Sequence, residues 1–247
     1  MLAVTYNILA DAYVSPPFYP LTPPGVLVPA RRRGALQGRI AALGADVLCL
    51  QEVEEDAYRA ILARLAGYEG RYVRKGRQKP DGCATFWRDM SLLSERRLEY
   101  ADDTGHVALL LELSWEGRRL GVANTHLKWE AEHIEGGVAL GQVRALFGAM
   151  DAGSAWIVCG DFNARPESAV LDHPLTRGWR DPFAGTGALS CVANGTAQRI
   201  DYLLRTTALS ITPAPFSRID ASTPLPSETE PSDHLPVAGE VSFAPSP

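Results

Sequence analysis

The stretch Trp156-Ile157-Val158-Cys159-Gly160-Asp161-Phe162-Asn163 decides how the chain is read. A short apolar run bounded by a turn former predicts a buried strand. Here an acid and an amide stand at its C-terminal end. The arrangement recurs along the chain. Asn7 follows Val4-Thr5-Tyr6, Gln51-Glu52 follows Val47–Leu50, and Asn124-Thr125-His126 follows Leu120–Ala123. Asp201 lies inside Arg199–Leu204, and Asp233-His234 precedes Leu235-Pro236-Val237. Strands packed side by side bring such ends to one edge, so these residues are expected to meet there.

Outward from that stretch, apolar runs predict strands over Leu2–Tyr6, Val47–Leu50, Cys83–Trp87, Ala108–Leu113, Leu120–Thr125, Trp156–Cys159 and Arg199–Leu204. Helical patterns fall at Arg32–Leu43, Asp56–Leu65 and Gly141–Met150. Glu116-Gly117 between two β-prone runs predicts a hairpin. Strands both alternate with helices and follow one another, which fits mixed sheets with helices outside better than a doubly wound parallel sheet. Ser15–Pro29, with six of the eighteen prolines, and Pro213–Pro231 read as decorated loops, not linkers, because neither separates two blocks with their own apolar pattern. One domain is expected over 1–243, with 244–247 a tail.

The 247 residues suffice for a large core, and 46% hydrophobic with 21% charged residues excludes disordered, collagen-like and coiled-coil chains. No apolar run approaches the ~20 residues of a membrane span. The net charge of −5 argues against a wholly basic nucleic-acid binder, but not against an enzyme whose acids hold a cation. The start carries no basic n-region followed by a long apolar run, so a cytoplasmic chain is expected. Cys49 and Cys159 lie in apolar runs and read as core; no CxxC spacing occurs.

The polar edge would hold carboxylates, amides and two imidazoles. Carboxylate and amide oxygens suit Mg²⁺ or Mn²⁺, and imidazole donates to phosphate or acts as acid or base. Each piece alone has a plainer reading: Asn7 a turn residue, Gln51-Glu52 a helix start, Gly160–Asn163 an Asx-type turn, Asp233-His234 a cap. His106, His133 and His173 lack such a setting and read as solvated or loop residues. Arg71, Arg74, Lys75, Arg77 and Lys79, and separately Arg31-Arg32-Arg33, read either as solvated faces or as phosphate-binding patches. Trp87, Trp129, Phe162 and Phe183 are candidates for base stacking or for the core. Phe162, between two site residues, would line the cleft.

Together and in this order, Gln51-Glu52, Asn124-Thr125-His126, Gly160-Asp161-Phe162-Asn163, Arg199-Ile200-Asp201-Tyr202 and Ser232-Asp233-His234 resemble the endonuclease/exonuclease/phosphatase superfamily. The resemblance runs from Thr5 to Val237. Thr5–Asp11, Leu50–Glu54 and Asp81-Gly82-Cys83-Ala84-Thr85-Phe86-Trp87 resemble its deadenylase-type branch of nocturnin, Angel and the 2′-phosphodiesterases. The resemblance implies a DNase I-like four-layer α/β/β/α sandwich, two mixed β-sheets face to face with helices outside. It implies one or two Mg²⁺ or Mn²⁺ ions, with Glu52 the principal ligand and Asn7, Asp161 and Asp233 beside it. Asp161 would activate the attacking water, Asn163, His126 and His234 would meet the phosphate, and Asp201 would orient His234. Arg74, Lys75, Arg77, Phe162 and Trp129 are the substrate-binding candidates.

The expected activity is hydrolysis of nucleic acid, as a 3′-to-5′ exoribonuclease of deadenylase type on single-stranded RNA. DNA, or a small phosphorylated or lipid substrate, is the alternative. A catalytically inactive binding module is disfavoured because every site residue is present. No membrane or obligate protein partner is indicated.

Overall fold

The computed structural model describes residues 1–130 and 137–245. Its strands are β1 (Leu2–Asn7), β2 (Val47–Glu54), β3 (Glu69–Arg74), β4 (Asp81–Trp87), β5 (Ser91–Glu99), β6 (Val107–Trp115), β7 (Arg118–His126), β8 (Trp156–Asp161), β9 (Cys191–Ala193), β10 (Thr196–Gln198), β11 (Asp201–Arg205), β12 (Leu209–Pro213) and β13 (Val237–Phe243). The helices are α1 (Pro29–Ala42), α2 (Glu55–Arg64), α3 (Val138–Gly148) and α4 (Ala169–Leu175).

Two mixed sheets face each other. One has the order β12-β13-β1-β2-β4-β3 and the other β11-β8-β7-β6-β5. Each contains one parallel pair, β1 with β2 and β7 with β8. The layer between them is apolar: Ala3, Val47, Cys49, Cys83, Trp87, Leu109, Leu111, Val122, Ile157, Cys159 and Leu203 all lie in it. The alternate residues of the same strands point outward. On the first sheet Val4, Tyr6, Leu48 and Leu50 pack under Leu36 and Ile40 of α1 and Ile61 of α2. On the second, Leu110, Ala123 and Val158 pack under Leu140, Val143 and Leu146 of α3 and Val170 and Leu171 of α4. Central strands are therefore apolar on both faces, which is why they read as unbroken runs. The four-layer sandwich expected from the resemblance is the fold observed.

Sequence patterning missed β3, β5, β9, β10, β12, β13 and α4. Ser91–Glu99 (SLLSERRLE) is an edge strand exposed along most of its length, so no apolar alternation marks it. The hairpin forms as expected: β6 and β7 pair from Ala108↔Thr125 to Trp115↔Arg118, with Glu116 and Gly117 at φ of 51° and 72°, the two left-handed residues of a tight hairpin turn. Gly82 answers to a close approach, since a Cβ there would overlap the Val73 backbone of β3. Ala244 still donates to the Ala208 carbonyl, while residues 246–247 of the expected tail, like His133, lie outside the described residues.

The two Pro-rich loops pack on each other. Thr22 Oγ1 donates to the Pro226 carbonyl, and Arg39 Nε donates to Glu230. Among the described residues no helix is long and apolar enough to cross a membrane.

Candidate active site

At one end of the sandwich the apolar filling between the sheets gives way to buried amides. Gln51 Nε2 donates to Asn124 Oδ1 across the two sheets at 2.7 Å, and Asn124 Nδ2 donates to the carbonyls of Ala84 and Leu50 at 2.9 and 3.1 Å. These bonds fix the spacing of the sheets where the site begins. Just beyond, β2 is bulged: its register with β4 shifts between Leu50 and Val53, and Glu52 has φ of 57°. A left-handed glutamate at a bulge is strained backbone of the kind that aims a side chain. It turns Glu52 back onto β1, where Oε1 accepts from Asn7 Nδ2 at 3.1 Å and Oε2 from the Ala10 amide at 3.0 Å.

The same Asn7 Nδ2 donates to Asp161 Oδ2 at 2.9 Å, joining the two sheets' carboxylates. Asp161 ends β8, and its Oδ1 accepts from the Asn163 amide at 2.8 Å. Asp161 pairs with Asp201 across β8 and β11. His234 and His126 approach Asp161 Oδ2 from two sides, through Nε2 at 3.8 and 3.6 Å. Gly160 permits this packing, because a Cβ there would overlap the Thr125 carbonyl of the parallel neighbour β7. We expect Gly160→Ala to cost about 3 kcal/mol, as backbone must move to admit it. Thermal unfolding checks this; an unchanged midpoint would mean the β7–β8 spacing is slack.

His234 Nδ1 donates to Asp201 Oδ2 at 2.8 Å, and Ser190 Oγ donates to the same oxygen at 2.6 Å. Burial works against a charge on His234, yet Asp201 and Cys191 beside it raise its pKa well above the ordinary range. Burial, and then the charge of Asp201, push Asp161 up to about 7. Burial also raises Glu52. His126 goes the other way: burial, and then the Lys75 ammonium, hold it neutral. Lys75 Nζ stands 3.1 Å from Nδ1 of His126, and Nε2 is the nitrogen facing Asp161. The Asn163 amide nitrogen stands 3.0 Å from that Nε2 and donates to the Leu127 carbonyl.

Several substrate-binding readings need correction. Lys75 is not on a basic surface; it is buried, and its ammonium donates to Asp81 Oδ2 at 2.6 Å. Phe162 does not line the cleft; its ring is fully buried edge-on against Tyr202 in the layer under α3. Trp87 and Phe183 are core. Arg32 is buried and paired with Asp11, so the Arg31–Arg33 run is no uniform cationic patch. His106 is buried against the edge of His126, and burial with nearby lysines lowers it to about 3. Trp129 is 56% exposed, and Arg74 and Arg77 are exposed, Arg77 beside Asp103.

Sequence reading assigns no role to Asp81, Tyr13, Tyr19, Ser190 or Cys191. Asp81 opened the quoted Asp81-Gly82-Cys83 motif and so was visible. Tyr13 donates to Asp81 Oδ1 at 2.7 Å and Tyr19 to Asp233 Oδ2 at 3.0 Å, both from loop segments that carried no periodic signal.

Glu52, Asp161, Asp201, Asp233 and Asp81 converge on this edge, while Lys75 is already spent on Asp81. Asp201 Oδ1 is buried without a partner among the described residues. Such a concentration of acid is costly unless a cation joins it. The donors of Glu52, Asp161 and Asn7 are all oxygen or amide, which suits Mg²⁺ or Mn²⁺.

Fold and site define a phosphoester hydrolase, and comparison with known proteins places it more closely. Residues 4–234 match the Endonuclease/Exonuclease/phosphatase family, and the chain belongs to that family. Within it the similarity falls on the deadenylase-type branch. The chain is 26% identical to Carbon catabolite repressor protein 4 homolog 4 of Arabidopsis thaliana over 96% of its own length and 76% of that protein's. It is 26% identical to the CCR4-Not complex 3'-5'-exoribonuclease subunit Ccr4 of Candida albicans over 68% of its length, but spans only 27% of that protein. Among solved structures, ANGEL2, a 2',3'-cyclic phosphatase, in complex with adenosine-2',3'-vanadate superposes with a TM-score of 0.83 at 24% identity, covering 97% of this chain and 94% of the other.

Proposed function

We propose that the protein is a divalent-metal-dependent phosphodiesterase acting on nucleic acid, as a 3′-to-5′ exoribonuclease on single-stranded RNA. The observation that carries this is the meeting of Glu52, Asn7 and Asp161 with the His234–Asp201 pair at one sheet edge. Glu52, Asn7, Asp161 and Asp233 would hold one or two Mg²⁺ or Mn²⁺ ions, which supply charge neutralisation at the phosphate and an acidified water. Asp161 would orient the attacking water and accept its proton. His234, kept cationic by Asp201, donates to a non-bridging oxygen as charge builds there. His126 and Asn163 meet the phosphate from the other side. No covalent enzyme intermediate is needed.

Polynucleotide as substrate is supported by the relative named for 3'-5'-exoribonuclease activity and by the exposed Trp129, three residues after His126. Arg74 and Arg77 would meet the backbone phosphates. The free thiols of Cys49, Cys83, Cys159 and Cys191 accord with a reducing, cytoplasmic setting.

Hydrolysis of 5′-labelled poly(A), mixed RNA, single- and double-stranded DNA and a generic phosphodiester, with Mg²⁺ or Mn²⁺ and with EDTA, tests the reading. We expect RNA to shorten from its 3′ end and EDTA to stop it. Cleavage of only the generic phosphodiester would move the substrate to a small molecule. Trp129→Ala should raise KM for RNA about tenfold, the scale of one lost base stack, while kcat on the generic phosphodiester stays unchanged. An unchanged KM would remove Trp129 from the substrate path.

A further inference from the structure

The Cys191 thiol stands beside His234 and meets no reacting atom in the hydrolysis. It opens β9, is buried, and is bridged backbone-to-backbone with His234. Its sulfur, a ring nitrogen of His234 and a carboxylate oxygen of Asp233 lie within 4.8 Å of one another. The other three cysteines are also buried, but among the described residues none of them joins such a group.

The orientation of each member matters. Asp201 occupies Nδ1 of His234, which leaves Nε2 to the other members of the group. A carboxylate on one ring nitrogen is the arrangement that aims the other at a metal. Asp233 gives Oδ2 to the Tyr19 hydroxyl, while Oδ1 stands 4.0 Å from His234 Nε2. The donor set is thus sulfur, nitrogen and oxygen. It differs in kind from the oxygen and amide set of Glu52, Asp161 and Asn7. Thiolate and imidazole select Zn²⁺ and its like over Mg²⁺, and three protein ligands with an open fourth position suit tetrahedral Zn²⁺.

We infer that Cys191, His234 and Asp233 form a soft-metal site that binds Zn²⁺ at the margin of the active site, and that Zn²⁺ held there blocks hydrolysis by taking Nε2 of His234 away from the phosphate. The binding half stands on geometry alone; the inhibition half rests on the hydrolytic reading above. Binding forms a Zn–S and a Zn–N bond, and the protons of the Cys191 thiol and of His234 Nε2 pass to the buffer. No atom changes oxidation state.

Co²⁺ is the probe, added to the metal-free full chain in excess Mg²⁺. We expect one equivalent to produce a sulfur-to-cobalt charge-transfer band that Zn²⁺ abolishes. Cys191→Ser and Cys191→Ala should both lack the band while keeping the wild-type circular dichroism spectrum. In parallel, Zn²⁺ should inhibit RNA hydrolysis in Mg²⁺. The half-inhibiting concentration should rise about tenfold or more in Cys191→Ser, each enzyme being scored against its own Zn²⁺-free rate. Absence of the band in the wild type, or its persistence in both variants, overturns the site. Equal inhibition of wild type and Cys191→Ser overturns the regulatory half. A band lost in the variants alongside no hydrolysis of any polynucleotide would uphold the site and defeat the hydrolytic reading instead.

Discussion

Replacing Asp161 with asparagine is expected to lower kcat/KM by about 10³-fold or more while leaving the fold intact and, without metal, more heat-stable. The loss follows from position. Asp161 Oδ2 is the oxygen on which Asn7, His126 and His234 all converge, so the variant removes both a cation ligand and the acceptor for the water's proton. The gain in stability follows from charge. Burial and Asp201 raise the Asp161 pKa to about 7, above its ordinary value of 3.8. The folded state therefore binds this proton more tightly than the unfolded state does. The stabilisation associated with that proton is present below pH ~4 and is lost as the pH rises towards 7. Asparagine carries no such charge, so the stability advantage of Asp161→Asn in metal-free buffer should widen between pH ~4 and 7. Added Mn²⁺ should raise the melting temperature of wild type and not of the variant. Thermal unfolding against pH, with and without Mn²⁺, checks this. A variant that turns over near the wild-type rate would sink the site assignment.

The candidate site was legible because its acids, amides and imidazoles stand at the ends of strands whose apolar runs are unmistakable. Asn7, Glu52, Asp161 and His126 each close a run, and the sheet topology does the rest. What was not legible was orientation. A run of cations from Arg71 to Lys79 gives no sign that Lys75 points inward to Asp81 while Arg74 and Arg77 point out. The difference is set by the alternation of β3, which Lys75 continues: its N–H donates to the Asp81 carbonyl, and Val73 and Lys75 are buried with Arg74 exposed between them. Phe162 was misplaced for a related reason. Phe162 continues the alternation of β8, so its ring joins Trp156 and Val158 in the layer under α3 and not the cleft. The edge strand β5 failed for want of burial, and the loop tyrosines for want of any period at all. Tertiary packing, not local pattern, decides each of these.

Replacing Lys75 with methionine should cost about 3–5 kcal/mol, the penalty for leaving a buried partner charge without its counterion. The pair is sealed: the Lys75 and Asp81 side chains are 2% and 0% exposed at a separation of 2.6 Å. In a chain of this size that corresponds to a fall of roughly 10 °C in melting temperature. Removing both charges tests whether the loss comes from the stranded carboxylate. The double variant Lys75→Met/Asp81→Leu should regain most of the stability, because an apolar pair of similar bulk costs little where an unpaired ion costs much, and the partly exposed Tyr13 hydroxyl turns to water. Activity should not return with it. Lys75 Nζ also stands 3.1 Å from Nδ1 of His126 and so holds the ring with Nε2 towards Asp161. Without that contact the ring is free to turn, and Nε2 leaves the position from which it meets the phosphate. The double variant is therefore expected to melt near the wild-type temperature yet turn over about 10²-fold more slowly, the scale of one lost donor to a developing negative charge. A double variant restored in both respects would reduce Lys75 to a structural counterion of Asp81.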